Sequence, residues 1–246
     1  MSVSPLVLAL ILSLAGSFLG VLVASAIYLF GDEARERLVS WLVSYAVGTL
    51  LGLSLLHLVP EALEALPPQQ ALGVLLLGIL TFFMLEKLVL WRHCHDTHEC
   101  EVHSSAASLV IIGDAFHTFV DGAIIAAATL TSPWLGVTTA LAAAAHEIPQ
   151  ELGDAAILLK AGYSRTRALA LNLLSGLGGV VGALFVFLAL NQLPAVLPYV
   201  LAFAAGSFLY VAMADLIPSL HKGHTEVNPV AQVLLIAAGL LTLLML

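Results

Sequence analysis

The chain has 246 residues, 61% of them hydrophobic and 10% charged, with sixteen carboxylates, eight Lys plus Arg and a formal net charge of −8. No soluble domain can hide that much apolar side chain, so the class is an all-α polytopic membrane protein. The acidic balance argues against a nucleic-acid partner, and two cysteines in one loop provide no disulfide framework.

Eight spans are predicted, at 5–30, 38–59, 69–91, 105–130, 134–160, 166–190, 195–218 and 229–246. Short breaks separate them, among them Gly31-Asp32-Glu33, Pro67-Pro68, Ser132-Pro133 and Ala161-Gly162. The first run lacks a basic leader and is expected to remain as a span, not to be cleaved as a signal. Arg35, Arg37, Lys87, Arg92, Lys160, Arg165, Arg167 and Lys222 all fall at one end of these spans. The positive-inside bias then places those loops in the cytoplasm and both termini outside. Gly48 with His57-Leu-Val-Pro60 in the second span matches Gly206 with Asp215-Leu-Ile-Pro218 in the seventh. The two segments run in opposite directions, as in an inverted repeat built around a central helix pair, spans 4 and 5. The whole of 1–246 thus reads as a single eight-helix transmembrane domain.

That central pair carries the chemistry. His117 and Asp121 are spaced by four residues, as are His146 and Gln150, and Glu147 and Glu151, so each pair shares one helix face. A turn at Ser132-Pro133 folds the spans into an antiparallel hairpin in which His117 lies level with Gln150, and Asp121 with His146. Pro149 lacks an N–H and frees the carbonyl of Ala145. With Asp114 and Asp154, five carboxylates and two imidazoles lie inside membrane-length runs. Each carboxylate costs ~2.5–3.5 kcal/mol at mid-membrane, on the order of 12–17 kcal/mol for five. Neither span has a Lys or Arg before Lys160 to offset this, whereas a bound cation does. The competing reading is a structural polar network, but membrane helices usually build those from Ser, Thr, Asn or Gln. Imidazole, carboxylate and amide donors suit zinc, iron or manganese.

His57 and Glu61 close the second span near the outer face, and Asp215 ends the seventh near the inner one. Each fits ordinary interfacial polarity or a stop on the metal's way in or out; Asp114, inward of His117, extends the same route. The loop at 92–104 holds His93, Cys94, His95, His98, Cys100 and His103. That is metal-binding composition without the paired spacing of a zinc finger, as expected of a cytoplasmic loop that takes up or senses metal.

At His117-x-x-x-Asp121-Gly and His146-Glu-x-Pro-x-Glu-Leu-Gly-Asp154 the chain resembles the ZIP (Zrt-, Irt-like protein) family of divalent-metal transporters. It is most similar to the subgroup with His-Glu-x-Pro-His-Glu-Leu-Gly-Asp in the fifth span. The resemblance implies a primary site of His117, Asp121, His146 and Gln150. It also implies a neighbouring position shaped by Thr118, Glu147 and Glu151, with Asp154 close by. A homodimer is implied as well, with spans 1, 4, 5 and 6 moving against 2, 3, 7 and 8. Thr118 stands where the family usually has Asn, and Gln150 where the subgroup has a second His. Zinc is the first expectation as cargo, and the lost imidazole broadens the range toward iron, manganese or cadmium.

The function expected is therefore divalent-metal transport toward the cytoplasm across a plasma or bacterial inner membrane, with lipid and metal ions as partners and no enzymatic activity. Two rivals are weaker. An intramembrane metallohydrolase would need His where Gln150 stands and an unbroken helix at Pro149. A proton-coupled carrier of another small solute would use the acids as a relay. The absence of a Gly-x-x-x-x-Gly-Lys-Ser/Thr loop argues against direct ATP hydrolysis.

Overall fold

A computed structural model of the chain describes residues 4–27, 29–93, 102–222 and 228–245. The described residues are helical throughout apart from short connections, with α1 at Pro5–Ile27, α2 at Asp32–Gly52, α3 at Val59–Ala65, α4 at Pro68–His93 and α5 at Val102–Thr131. They continue with α6 at Pro133–Lys160, α7 at Arg165–Gln192, α8 at Leu197–Tyr210, α9 at Ile217–Lys222 and α10 at Pro229–Met245. Six stretches are long and apolar enough to cross a membrane, carried by α1, α2–α3, α4, α5, α7 and α8 with its extension. The 28-residue α6 is long enough but too polar, and the apolar α10 is shorter, at 17 residues.

Local chemistry explains the ends. Ser132 caps α6, its hydroxyl accepting from the Leu135 N–H at 3.0 Å, and Pro133 fills the first helical position, where no N–H is needed. At the other end Gly162 takes φ +86°. There the Tyr163 N–H donates to the Leu158 carbonyl and the Gly162 N–H to that of Leu159, closing a Schellman turn with Tyr163 packed on Leu158.

Two predicted spans run past their predicted ends. The second was expected to stop at 59, yet a π-helical turn at Leu53–Leu58 carries it into α3 and on to Ala65. The seventh was expected to stop at 218, yet Val211–Leu216 does the same into α9. In both, the residue before proline donates five residues back, Val59 to Ser54 and Ile217 to Ala212. The proline ring would clash with the carbonyl four residues earlier, and a widened turn relieves that clash without ending the helix.

The helices pack in two groups. In one, α5 lies against α7, and α1 crosses α5, α6 and α7; in the other, α2 pairs with α10 and α4 with α8. Small residues permit these approaches. A Cβ on Gly122 of α5 would strike the Gly179 backbone of α7, and one on Gly48 of α2 would strike the carbonyl of Ile236 in α10. The groups meet where α2 packs on α6 and α8 on α5. The seam is filled by an apolar cluster including Leu50, Leu53, Ala127, Ala142, Ala204 and Phe208.

Candidate metal centre

The α5–α6 hairpin brings His117, Asp121, His146 and Glu147 together. One ligand atom from each lies within 4.8 Å of all the others, and Asp114, Glu147 and Glu151 form a second such group. Glu147 belongs to both. The Nε2 atoms of His117 and His146 stand 3.1 Å apart, and Asp121 Oδ2 lies 3.0 Å from His146 Nε2 and 3.8 Å from His117 Nε2. His146, Glu147 and Glu151 are 1%, 1% and 0% exposed, so the cluster is shut off from bulk solvent.

Donors are few in this arrangement. His146 Nδ1 lies 3.2 Å from the carbonyl of Ala142, an atom with no hydrogen to give, so Nδ1 carries a proton and the neutral imidazole presents its lone pair at Nε2. That lone pair faces the carboxylate of Asp121 and the other imidazole. Among the described residues, five buried side-chain polar atoms lack a hydrogen-bond partner, and four are carboxylate oxygens here: Asp121 Oδ2, both oxygens of Glu147 and Glu151 Oε1. Acceptors converging without donors repel one another unless a cation or a shared proton lies between them.

The other carboxylates are held from α7. The Asn172 amide donates to Glu151 Oε2 at 2.5 Å, and the Ser175 hydroxyl donates to Asp114 Oδ2. Gln150 turns its amide nitrogen to Asp114 Oδ1 at 3.4 Å and so faces Asp114, whereas the resemblance placed it with the histidines. Thr118, fully buried, donates to the Ser175 carbonyl at 2.9 Å. Asp154 lies a turn beyond Glu151 on α6, partly exposed and in neither group.

The outlying candidates lie outside both groups. His57 Nε2 lies 3.0 Å from the carbonyl of Leu243 and so satisfies the last turn of α10. Glu61 is partly exposed in α3. Asp215, exposed on the π turn after α8, still acts electrostatically on His146. Residues 94–101, the middle of the His/Cys-rich loop, lie outside the described residues.

Sequence reading missed four contributors. Asn172 and Ser175 are polar residues one turn apart inside an apolar span, a signal that was available. Phe82 of α4 and Phe208 of α8 meet His117 and His146 edge-on, with ring centroids at 6.4 and 5.8 Å. No spacing rule marks those two phenyls, because they come from the other helix group.

A family model described as ZIP Zinc transporter matches residues 3–107 and 91–246. Zinc transporter ZIP13 of Pongo abelii is 34% identical over 234 residues, covering 87% of this chain and 70% of that protein. Zinc transporter ZIP13 of Homo sapiens is 31% identical over 272 residues, covering 87% and 73%. Zinc transporter ZIP4 of Homo sapiens is 33% identical over 248 residues, covering 73% and 38%. With its length matched by the family model and a buried cluster of imidazole and carboxylate on the α5–α6 hairpin, the chain belongs to the ZIP zinc transporter family.

Proposed function

We propose that this protein carries zinc across the membrane toward the cytoplasm by alternating access at the α5–α6 cluster. The family is one of metal carriers, not enzymes, and the relatives' names supply zinc as the cargo. The observation that carries the assignment to this cluster is the set of unpartnered acceptors at Asp121, Glu147 and Glu151, buried beside two imidazoles. Two neutral imidazoles and two carboxylates match one divalent ion in charge and suit zinc in donor type. Iron, manganese and cadmium remain alternative cargoes because Gln150 replaces an imidazole.

In this reading His117, Asp121, His146 and Glu147 form the first position. Asp114, Glu147 and Glu151 form the second, on the side of Asp215. Thr118, Gln150 and Asp154 shape their surroundings, and His57, Glu61 and Asp215 lie along the route. Toward the Ser132 turn the centre is shut beneath Ala126, Ala127, Ala128, Ala142 and Ala143, each at most 2% exposed. Toward the basic loops it is looser, with Gln150 partly exposed and the His117 side chain 16% exposed. These burial differences support an inward-facing arrangement. Eight spans with both termini outside, an inverted repeat and a homodimer belong to the same proposal. The repeat is supported by the single offset that carries Gly48, Leu53–Leu58 and Pro60 onto Gly206, Val211–Leu216 and Pro218.

The test is zinc uptake into vesicles reconstituted with the purified protein. Replacing His117 with Ala is expected to abolish uptake while the protein remains inserted. Flux at the wild-type rate would refute the assignment.

A further inference from the structure

A cavity adjoins the metal centre on its Glu151 side. It measures about 220 Å³ and is walled by α1, α6 and α7. Its lining on α6 is Glu151, Ala155 and Leu159, each one turn below the last. On α7 it includes Arg165, Ala168 and Asn172, again at helical spacing, together with Thr166 and Leu169. These stripes are antiparallel, so Leu159 and Arg165 share the mouth, beside the Ala161–Gly162 turn, and Glu151 and Asn172 share the floor. Eight residues of helix make the cavity ~12 Å deep, close to the ~15 Å of hydrocarbon in one leaflet.

The chemistry changes along that depth. At the floor the Asn172 amide donates to Glu151 Oε2, leaving Glu151 Oε1 to the metal centre, and both residues are at most 4% exposed. The shaft above is small and aliphatic. At the mouth Arg165 is exposed and has no carboxylate partner among the described residues. Arg167, two residues on, is engaged differently, its guanidinium 4.6 Å from the Tyr163 ring centre. A free anion gains nothing from an apolar shaft, and a divalent cation is repelled by the guanidinium. An amphiphile with an anionic head fits both ends, and basic pockets between helices on the cytoplasmic side suit phospholipid headgroups.

We propose that this crevice binds one acyl chain of an anionic phospholipid, with the headgroup phosphate on Arg165. The filled crevice braces α6 and α7 where Glu151 and Asn172 form the back wall of the metal centre. The proposal needs only that the chain is embedded in a membrane and does not depend on which metal it carries.

The experiment uses the purified full chain in phosphatidylcholine nanodiscs with increasing phosphatidylglycerol, read by melting temperature and by native mass spectrometry of retained lipid. Wild type is expected to retain one phosphatidylglycerol and to melt higher with it than in phosphatidylcholine alone. Arg165→Gln is expected to retain it about fivefold more weakly, and Ala155→Phe, which fills the shaft, to lose it. Arg167→Gln is expected to behave as wild type. Should Ala155→Phe fail to fold, Ala155→Leu serves the same purpose with a partial loss. Equal weakening by the two arginine substitutions, or retention unchanged in Arg165→Gln, would overturn the proposal. So would stabilisation by glycerol phosphate alone, since the shaft would then be irrelevant.

Discussion

The two ends of the acid cluster are built differently. Around His146, Asp121 and Glu147 offer oxygens with no donor to meet them. Around α7, Asp114 receives the Ser175 hydroxyl and one oxygen of Glu151 the Asn172 amide, with Glu151 Oε1 alone left without a donor there. The first end is costly without an ion, because buried acceptors have been taken from water and given nothing in return. The second end stands closer to satisfied when empty. Under the proposed function this contrast predicts tight capture at the histidine end and easier release at the α7 end, with expectations of graded size.

The largest effect belongs to Glu147, shared by both groups. Glu147→Gln is expected to weaken zinc binding by at least the ~100-fold that marks the upper end for an outer-shell partner, measured by calorimetry on the purified protein. The same change should raise the melting temperature of the metal-free protein, since it removes an unpartnered buried carboxylate. A fall in both binding and metal-free stability would show that Glu147 is structural.

Acid comes next. Zinc binding needs both imidazoles neutral, and a model imidazole titrates near pH ~6.5. Below that range each proton on His117 or His146 competes with the metal, so affinity should fall by up to ~100-fold per pH unit. Affinity is retained above the range. A flat profile between pH 5 and 7 would remove the imidazoles from the site.

Asn172→Ala tests the satisfied end. It strips Glu151 of its donor and is expected to cost ~10-fold in binding, the lower range for an outer-shell partner. Its effect should be smaller than that of Glu147→Gln; the reverse order would break the contrast. The smallest effect is expected from Gln150→His. It supplies an extra imidazole one turn from His146 and should shift competition uptake a few-fold toward zinc over manganese, in line with ligand softness.

Much of this was legible in the sequence, because membrane burial makes a carboxylate conspicuous. His117, Asp121 and His146 could be placed together from helical spacing and one turn, whereas Glu147 was set with Glu151 at a neighbouring position. The helical class followed from composition, and Ser132-Pro133 and Gly162 fixed the ends of α6. Side-chain direction was not legible. Gln150 has the right spacing to join His146, yet its amide reaches Asp114, because helix phase sets a face and not a rotamer. His57 looked like a stop on the metal's way yet satisfies the end of α10, a partner almost the whole chain away. The prolines at 60 and 218 read as helix ends, since no local rule says when a π turn will absorb a proline instead.

The measurement that bears most directly on the central claim is X-ray absorption at the zinc edge of the purified, zinc-loaded protein. The account requires two imidazoles at ~2.0–2.1 Å with carboxylate oxygens completing the shell, and both imidazole signals should drop to one in His146→Ala. An all-oxygen shell, or a spectrum unchanged by that substitution, would mean that the α5–α6 hairpin does not hold the ion.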